Sequence, residues 1–308
     1  MRQQPWSRRD FLRRTAAAGA VALGGATVLG ACQQVPQAGG GGGEGGAAGT
    51  LERARQAGTI NIGIAGEQPY GFTTPDGTVT GEAPEVARAV MEALGIPEIN
   101  AQQVEFSALI PSLNANRYDM VCAGMNITPE RCGQAAFSIP DYSALTAFLV
   151  PPGNPEQVAT FEDVATKNLQ LAVLGAAVEQ DYAEAAGVQT GNIQVFETQN
   201  ALLQAVTDGR VYCAALTDIS LNWLVNELNP DAAAEVTDGF RPVVNGEEIV
   251  SAGGFVFRQA DNDLREAFNT ELAALHESGR WVEIASPFGF SEDNLPAEGL
   301  TTEQLCSA

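Results

Sequence analysis

The chain has 308 residues, 45% apolar and 18% charged, a balance that supports about two globular domains and excludes a disordered chain. Thirty-eight acidic residues against 16 basic ones leave a net charge of −22, which speaks against nucleic acid, because phosphate binding needs Lys and Arg to displace counterions. A single histidine, His276, argues against a Ser-His-Asp triad, a His-rich zinc site or an H-E-x-x-H protease, and reads as a helix-end residue.

Residues 1–31 read as an export signal. Ser7, Arg8, Arg9, Asp10, Phe11 and Leu12 precede an Ala- and Gly-rich apolar stretch, the order of a twin-arginine signal. Leu29-Gly30-Ala31-Cys32 then matches a lipobox, with Cys32 as the lipidated residue. Residues 32–50 read as a tether: the GGGGGEGGAAG run (39–49) has a composition that cannot pack, and the 18 residues between Cys32 and Leu51 span roughly 20 to 25 Å. Cleavage before Cys32 removes five arginines and one aspartate, so the mature body is more acidic still. Lipid, not basic residues, would hold such a body at an anionic membrane.

The body alternates strand and helix. Ile60, Ile62 and Ile64 alternate as in a strand, Pro75-Asp76-Gly77 predicts a turn, and Pro84-Glu85 open a helix with Val86, Val90 and Leu94 on one face. Strands are expected at 103–106 and 119–123, with a helix at 107–116 between them. After the loop-rich 151–155, strands at 169–174, 193–196 and 211–216 each precede a helix, at 177–186, 200–208 and 218–228. A strand at 249–258 and the long amphipathic helix 261–278 follow. This pattern predicts an α/β fold with two lobes. Cys122 and Cys213 lie in apolar runs, with inert packing as the default for both, and the four cysteines Cys122, Cys132, Cys213 and Cys306 allow three pairings, which the spacing leaves open.

Ligands of open α/β sheets bind beyond strand C-termini, at helix N-termini. Gly124-Met125-Asn126-Ile127-Thr128-Pro129-Glu130-Arg131 ends one strand, caps a helix with Thr128 and places Arg131 in its first turn, where an anion would offset the helix dipole. A guanidinium there suits a carboxylate through two parallel hydrogen bonds. Backbone amides at Ala177 and Val178 offer a second carboxylate contact. Asp218 and Glu67 could accept from an ammonium or amidinium group, and Tyr70, Phe72 and Phe106 stand near the same strand ends, where they could stack on a cation.

GEQPYGF (66–72), AGMNITPER (123–131), FSIPDY (137–142), ALTD (215–218) and GRWVEI (279–284) resemble the family-3 extracellular solute-binding proteins of amino-acid-type ABC transporters. EQPYGF, GEAPEVA (81–87) and AGMNITPERC (123–132) are most similar to the ectoine/hydroxyectoine-binding branch. The resemblance implies a type II periplasmic-binding-protein fold, with lobe 1 from 51–147 and 250–308, lobe 2 from 148–249, and hinge strands near Ala147 and Val250. It implies that Arg131 grips a carboxylate, helped by backbone at Gly124, Asn126, Ala177 and Val178. Asp218 and Glu67 would face the positive group, with Tyr70 and Phe106 as aromatic walls. Asn126 departs from that branch, which places a third aromatic there; Ala177 replaces a frequent Thr, and Asp141 a frequent Tyr.

The expected function is a lipid-anchored, extracytoplasmic receptor that passes a small zwitterion, ectoine or hydroxyectoine first, to an ABC permease without cofactor, metal or covalent chemistry. The alternatives are a polar or cationic amino acid as ligand, or an enzyme similar to cyclohexadienyl-type dehydratases, with Glu67 as general acid.

Overall fold

The computed structural model describes residues 49–307. The export signal, the lipidation site Cys32 and nearly all of the tether lie outside the described residues. The described chain builds two open sheets, each flanked by helices, in the two-lobed periplasmic-binding-protein fold.

The first sheet runs Glu98–Gln103, Thr59–Ile64, Met120–Asn126, Ser251–Phe257, Ala136–Phe137, with Tyr142–Ala144 also paired to Ser251–Phe257. Its first three strands are parallel, and Ser251–Phe257 enters antiparallel. The second sheet runs Ile193–Phe196, Leu171–Leu174, Cys213–Thr217, Thr146–Val150, Glu235–Val236. There too the first three strands are parallel and Thr146–Val150 enters antiparallel. The strands Leu171–Leu174, Cys213–Thr217 and Ser251–Phe257 are buried at every residue, as strands covered on both faces must be.

Helix Glu82–Ala93 buries Val86, Val90 and Met91, and helix Asn262–Ser278 buries Leu264, Phe268, Leu272 and Leu275 on one stripe. Together with Ile60, Ile62, Phe255, Phe257 and Trp281 they make the core of the first lobe. His276 lies in the last turn of Asn262–Ser278, with its Nε2 3.8 Å from Asp141 Oδ1. Cys122 and Cys213 are free and buried, whereas Cys132 and Cys306 form a disulfide.

Two expectations are corrected. The strand expected at 103–106 lies instead at Glu98–Gln103; it is an edge strand paired on one side only, and its alternation is confined to Ile99 and Ala101, half-buried against the first core. Phe106 instead opens the short 3-10 turn Phe106–Ala108 ahead of helix Leu109–Asn114. The first crossing falls at Leu145, ahead of the expected boundary at 147. Ala144 still pairs with Ser251 in the first sheet, while Thr146 already pairs with Thr217 in the second. Asp218 fixes the crossing from both sides: its Oδ1 accepts from the Leu145 N–H at 3.1 Å and its own N–H donates to Leu145 O at 2.9 Å. The return crossing follows the hairpin Val243–Val244/Glu247–Glu248 and enters the first sheet at Ser251.

Candidate functional site

The strand Met120–Asn126 carries the site on its C-terminal end. Gly124 sits there at φ +58°, and a Cβ on it would lie 2.2 Å from Tyr70 Cδ1, so the Tyr70 ring packs directly on glycine backbone. Tyr142 Oη donates to Gly124 O at 2.7 Å, and the rings of Tyr70, Tyr142 and Phe290 stand 5.2 to 5.7 Å apart. Aromatic packing thus holds one wall in place from behind.

Thr128 then caps the short helix Pro129–Cys132 by accepting from the Arg131 N–H, with Pro129 at its start. The Arg131 side chain turns back across the cleft. Its Nη1 donates to Asn126 O and its Nη2 to Ala176 O, both at 2.8 Å, and its Cζ lies 5.4 Å from the centre of the Phe106 ring. Ion pairs among the described residues are made by other cations, such as Arg88, Lys167, Arg210 and Arg258. Arg131 is therefore a half-buried guanidinium held by carbonyl dipoles, and its desolvation lowers its pKa.

Further bonds join the lobes around it. Tyr70 Oη donates to Thr217 Oγ1 at 3.0 Å and Ser220 Oγ to Glu67 Oε1 at 2.8 Å. The Gln68 N–H donates to Gln199 Oε1 at 2.9 Å, and Trp223 Nε1 to Gln68 Oε1 at 3.3 Å. They enclose a cavity of about 30 Å³ lined by Glu67, Tyr70, Phe106, Gly124, Asn126, Arg131, Leu174, Ala177, Val178, Glu179, Leu216 and Thr217. Larger hollows adjoin it: about 350 Å³ outside Arg131, 250 Å³ outside Glu67, and 680 Å³ beyond Asn126 and Val178.

The structure thus brings eight of the nine sequence-derived contact residues to one cavity: Glu67, Tyr70, Phe106, Gly124, Asn126, Arg131, Ala177 and Val178. Asp218 does not line it; one oxygen of its carboxylate is engaged with Leu145 at the crossing. Phe72 lies away from it, buried in a two-stranded hairpin with Val79–Thr80. Asn126 donates from Nδ2 to Ser251 Oγ at 2.8 Å, which ties the departing wall position to the returning hinge strand.

Two lining groups escaped sequence reasoning. Thr217 stands in the ALTD motif without a role of its own, yet its hydroxyl caps the helix Asp218–Trp223 and also receives Tyr70. Glu179 begins the helix Glu179–Ala185, where an acid is expected in any case to complement the dipole, so nothing marked it as facing inward. It is 2% exposed. Burial pushes its carboxyl to about 7, with nearby Glu67 adding to the rise and Arg131 opposing it. Glu67 is likewise pushed to about 7 by burial, against the hydrogen bond from Ser220. The cavity therefore offers one guanidinium, two carboxyls of raised pKa, two aromatic rings and an apolar floor at Leu174 and Leu216. This suits a small solute carrying both charges. Among the described residues no cluster of His, Cys, Asp or Glu could hold a metal ion.

A sequence profile of the bacterial extracellular solute-binding proteins, family 3, matches residues 60–291, most of both lobes. The chain belongs to that family. This family-3 protein is 35% identical over 264 residues to a probable amino-acid ABC transporter periplasmic-binding protein of Sinorhizobium fredii, covering 84% of this chain and 86% of that one. Its structure resembles EhuB in complex with hydroxyectoine at a TM-score of 0.75 and 36% identity, over 84% of this chain and 98% of that one. It also resembles an ancestral arginine-binding protein bound to arginine, at a TM-score of 0.64 and 25% identity, over 75% and 98% of the two chains. The family-3 protein is accordingly a solute-binding protein of an amino-acid-type ABC transporter, and its relatives are transport binding proteins, not enzymes. The family works outside the cytoplasm, and no helix among the described residues is long and apolar enough to cross a membrane.

Proposed function

We propose that this protein captures a small zwitterion, ectoine or hydroxyectoine in first place, between its two lobes and presents it to the permease while held to the membrane by lipid on Cys32. The observation that carries the reading is the half-buried Arg131, a guanidinium that spans the cleft from Asn126 O to Ala176 O and forms no ion pair with a carboxylate among the described residues. A ligand carboxylate supplies the missing anion. Its docking strengthens both the charge balance and the link between lobes. The Ala177 and Val178 backbone lies beside it. At the other end, Glu67 and the Tyr70 ring receive the positive group, with a cation over a desolvated ring contributing ~0.5 to 2 kcal/mol, while the Phe106 ring, which already has Arg131 5.4 Å from its centre, walls the cavity between the two ends. Asp218 serves the hinge at Leu145, and any contact it makes with the ligand follows closure.

Support for ectoine comes from the likeness to the hydroxyectoine complex together with Glu67, Tyr70 and Phe106 in the cavity. A polar or cationic amino acid is the second reading, favoured by the polar Asn126 in the wall and by the arginine-bound relative. A thermal melt of the purified protein with ectoine, hydroxyectoine and each of the twenty amino acids separates them, since a ligand at 100 times its Kd stabilises by ~2.7 kcal/mol. A selective rise with the ectoines, lost in Arg131→Ala, supports the first; a rise with amino acids alone moves the substrate; no rise with any of them refutes the receptor reading. For the anchor, Cys32→Ala is expected to move the protein from the membrane to the soluble fraction, and an unchanged distribution would refute it.

A further inference from the structure

The cavity holds more negative charge than a simple zwitterion requires. Once a ligand carboxylate balances Arg131, two carboxyls remain for one ligand cation: Glu67 from the first lobe and Glu179 from the second. Glu179 is 2% exposed, an unusual place for a helix-start acid that would gain as much from the dipole in water. A single-point ammonium meets one carboxylate well. A planar N–C–N cation carries its charge on two N–H groups that point apart, and so can donate to two acceptors on opposite walls at once.

We propose that Glu179 is a specificity-determining residue that closes on the cationic end of the ligand opposite Glu67, so that the site selects a carboxylate joined to a delocalised N–C–N cation, a cyclic amidinium or a guanidinium. This deepens the receptor reading and rests on it. Carried on opposite lobes and lining one cavity in this structure, the two carboxyls part when the cleft opens, which ties charge recognition to the closed form. The groups facing Glu179 are Arg131 and Glu67 across the cleft and Asp181 and Tyr182 on its own helix. Near pH 7 both carboxyls are partly protonated, so a cation that draws both into the ionised form expels protons on binding.

The test is calorimetry at pH 7 in two buffers of different ionisation enthalpy, with ectoine, L-arginine and L-glutamine as probes, on the wild type, Glu179→Gln and Glu179→Asp. The first two probes distinguish an amidinium from a guanidinium; the third carries a neutral side chain. The wild type is expected to prefer one of the two N–C–N cations over L-glutamine and to release protons on binding it. E179Q is expected to weaken that ligand about tenfold or more, to leave L-glutamine within about threefold, and to release fewer protons. E179D keeps the charge at shorter reach and is expected to fall between. A melt of each variant shows that it is folded, and if E179Q is not, E179D and the proton count of the wild type carry the test. Unchanged selectivity in the variants, or no proton release by the wild type, overturns the inference and leaves the receptor reading standing. Tighter binding of every probe by E179Q also overturns it, because it marks Glu179 as a competitor for Arg131. A wild type that binds none of the probes overturns the inference, whereas the receptor reading then falls only if the full ligand panel also fails.

Discussion

Replacing Gly124 by alanine tests how the site wall is built. The new Cβ would stand 2.2, 2.5 and 2.7 Å from three atoms of the Tyr70 ring, closer than any real contact, and the backbone sits at φ +58°. The left-handed conformation costs a residue with Cβ about 1 to 2 kcal/mol. Displacing a fully buried ring adds about 1 to 3 kcal/mol. Losing the bond from Tyr70 Oη to Thr217 Oγ1 adds about 1 kcal/mol. Together these predict a loss of about 3 to 6 kcal/mol, a large share of the stability of an ordinary domain. Urea unfolding measures it as a lower midpoint at unchanged slope. The decisive comparison is a double-mutant cycle with Tyr70→Leu, which removes the ring that the added methyl would strike. In that background the glycine change should cost only the backbone share, about 1 to 2 kcal/mol. An equal cost in both backgrounds would refute the close packing of Tyr70 on Gly124.

Glu82 is fully buried with neither carboxyl oxygen hydrogen-bonded, and burial beside Asp141 raises its pKa well above the usual range. Asp141 in turn accepts from Trp281 Nε1 at 2.8 Å, with His276, Cys122 and Tyr142 also nearby. A carboxyl raised in the folded state stabilises only while protonated, so its contribution is present below about pH 4.5 and is lost as pH climbs toward the folded value. Glu82→Gln should therefore gain stability relative to wild type between pH 5 and 8, by about 1 to 3 kcal/mol, and a pH series of urea midpoints checks it. Glu67 and Glu179, with folded values about 7, give the wild type a decline of the same sign between pH 4.5 and 7, worth about 3 kcal/mol each. The Cys132–Cys306 disulfide joins residues 174 positions apart, so Cys306→Ser should cost about 2 to 5 kcal/mol. Dithiothreitol should lower the Tm of the wild type to that of the variant and leave the variant unchanged.

Legibility followed local chemistry. The strands of the two sheet interiors announced themselves because burial on both faces forces apolar runs, and the cap Thr128-Pro129 fixed where Arg131 would start its helix. Eight of the residues that line the cavity were readable because they lie at strand ends or helix starts, most of them within motifs that resemble the family's. What was missed depends on a partner far away in the chain. The edge strand Glu98–Gln103 offers only Ile99 and Ala101 to the core, too short an apolar signal to fix its bounds. Glu179 and Thr217 carry the residue types that helix starts prefer, and only the opposing lobe turns them into cavity walls. Asp218 was read as a charge for a ligand when its two bonds to Leu145 make it a clamp on the crossing strand. The disulfide spans so much of the chain that spacing alone leaves its pairing open among three.

The bonds that cross the cleft, from Gln68 to Gln199, Trp223 to Gln68, Tyr70 to Thr217, Ser220 to Glu67 and to Gln68, and Arg131 to Ala176, bear on the speed of capture as well as its strength. A space of about 30 Å³ admits a water molecule and not a solute of about ten heavy atoms. Entry therefore waits on rupture of these bonds, a collective event on the microsecond-to-millisecond scale. Apparent affinity is reduced by whatever fraction of molecules is shut at a given moment. At low solute concentration the receptor fills in proportion to encounter; at high concentration it fills no faster than it unlatches. A transport system supplied this way has a ceiling on uptake written into the side chains of its receptor, independent of how many permeases the membrane holds.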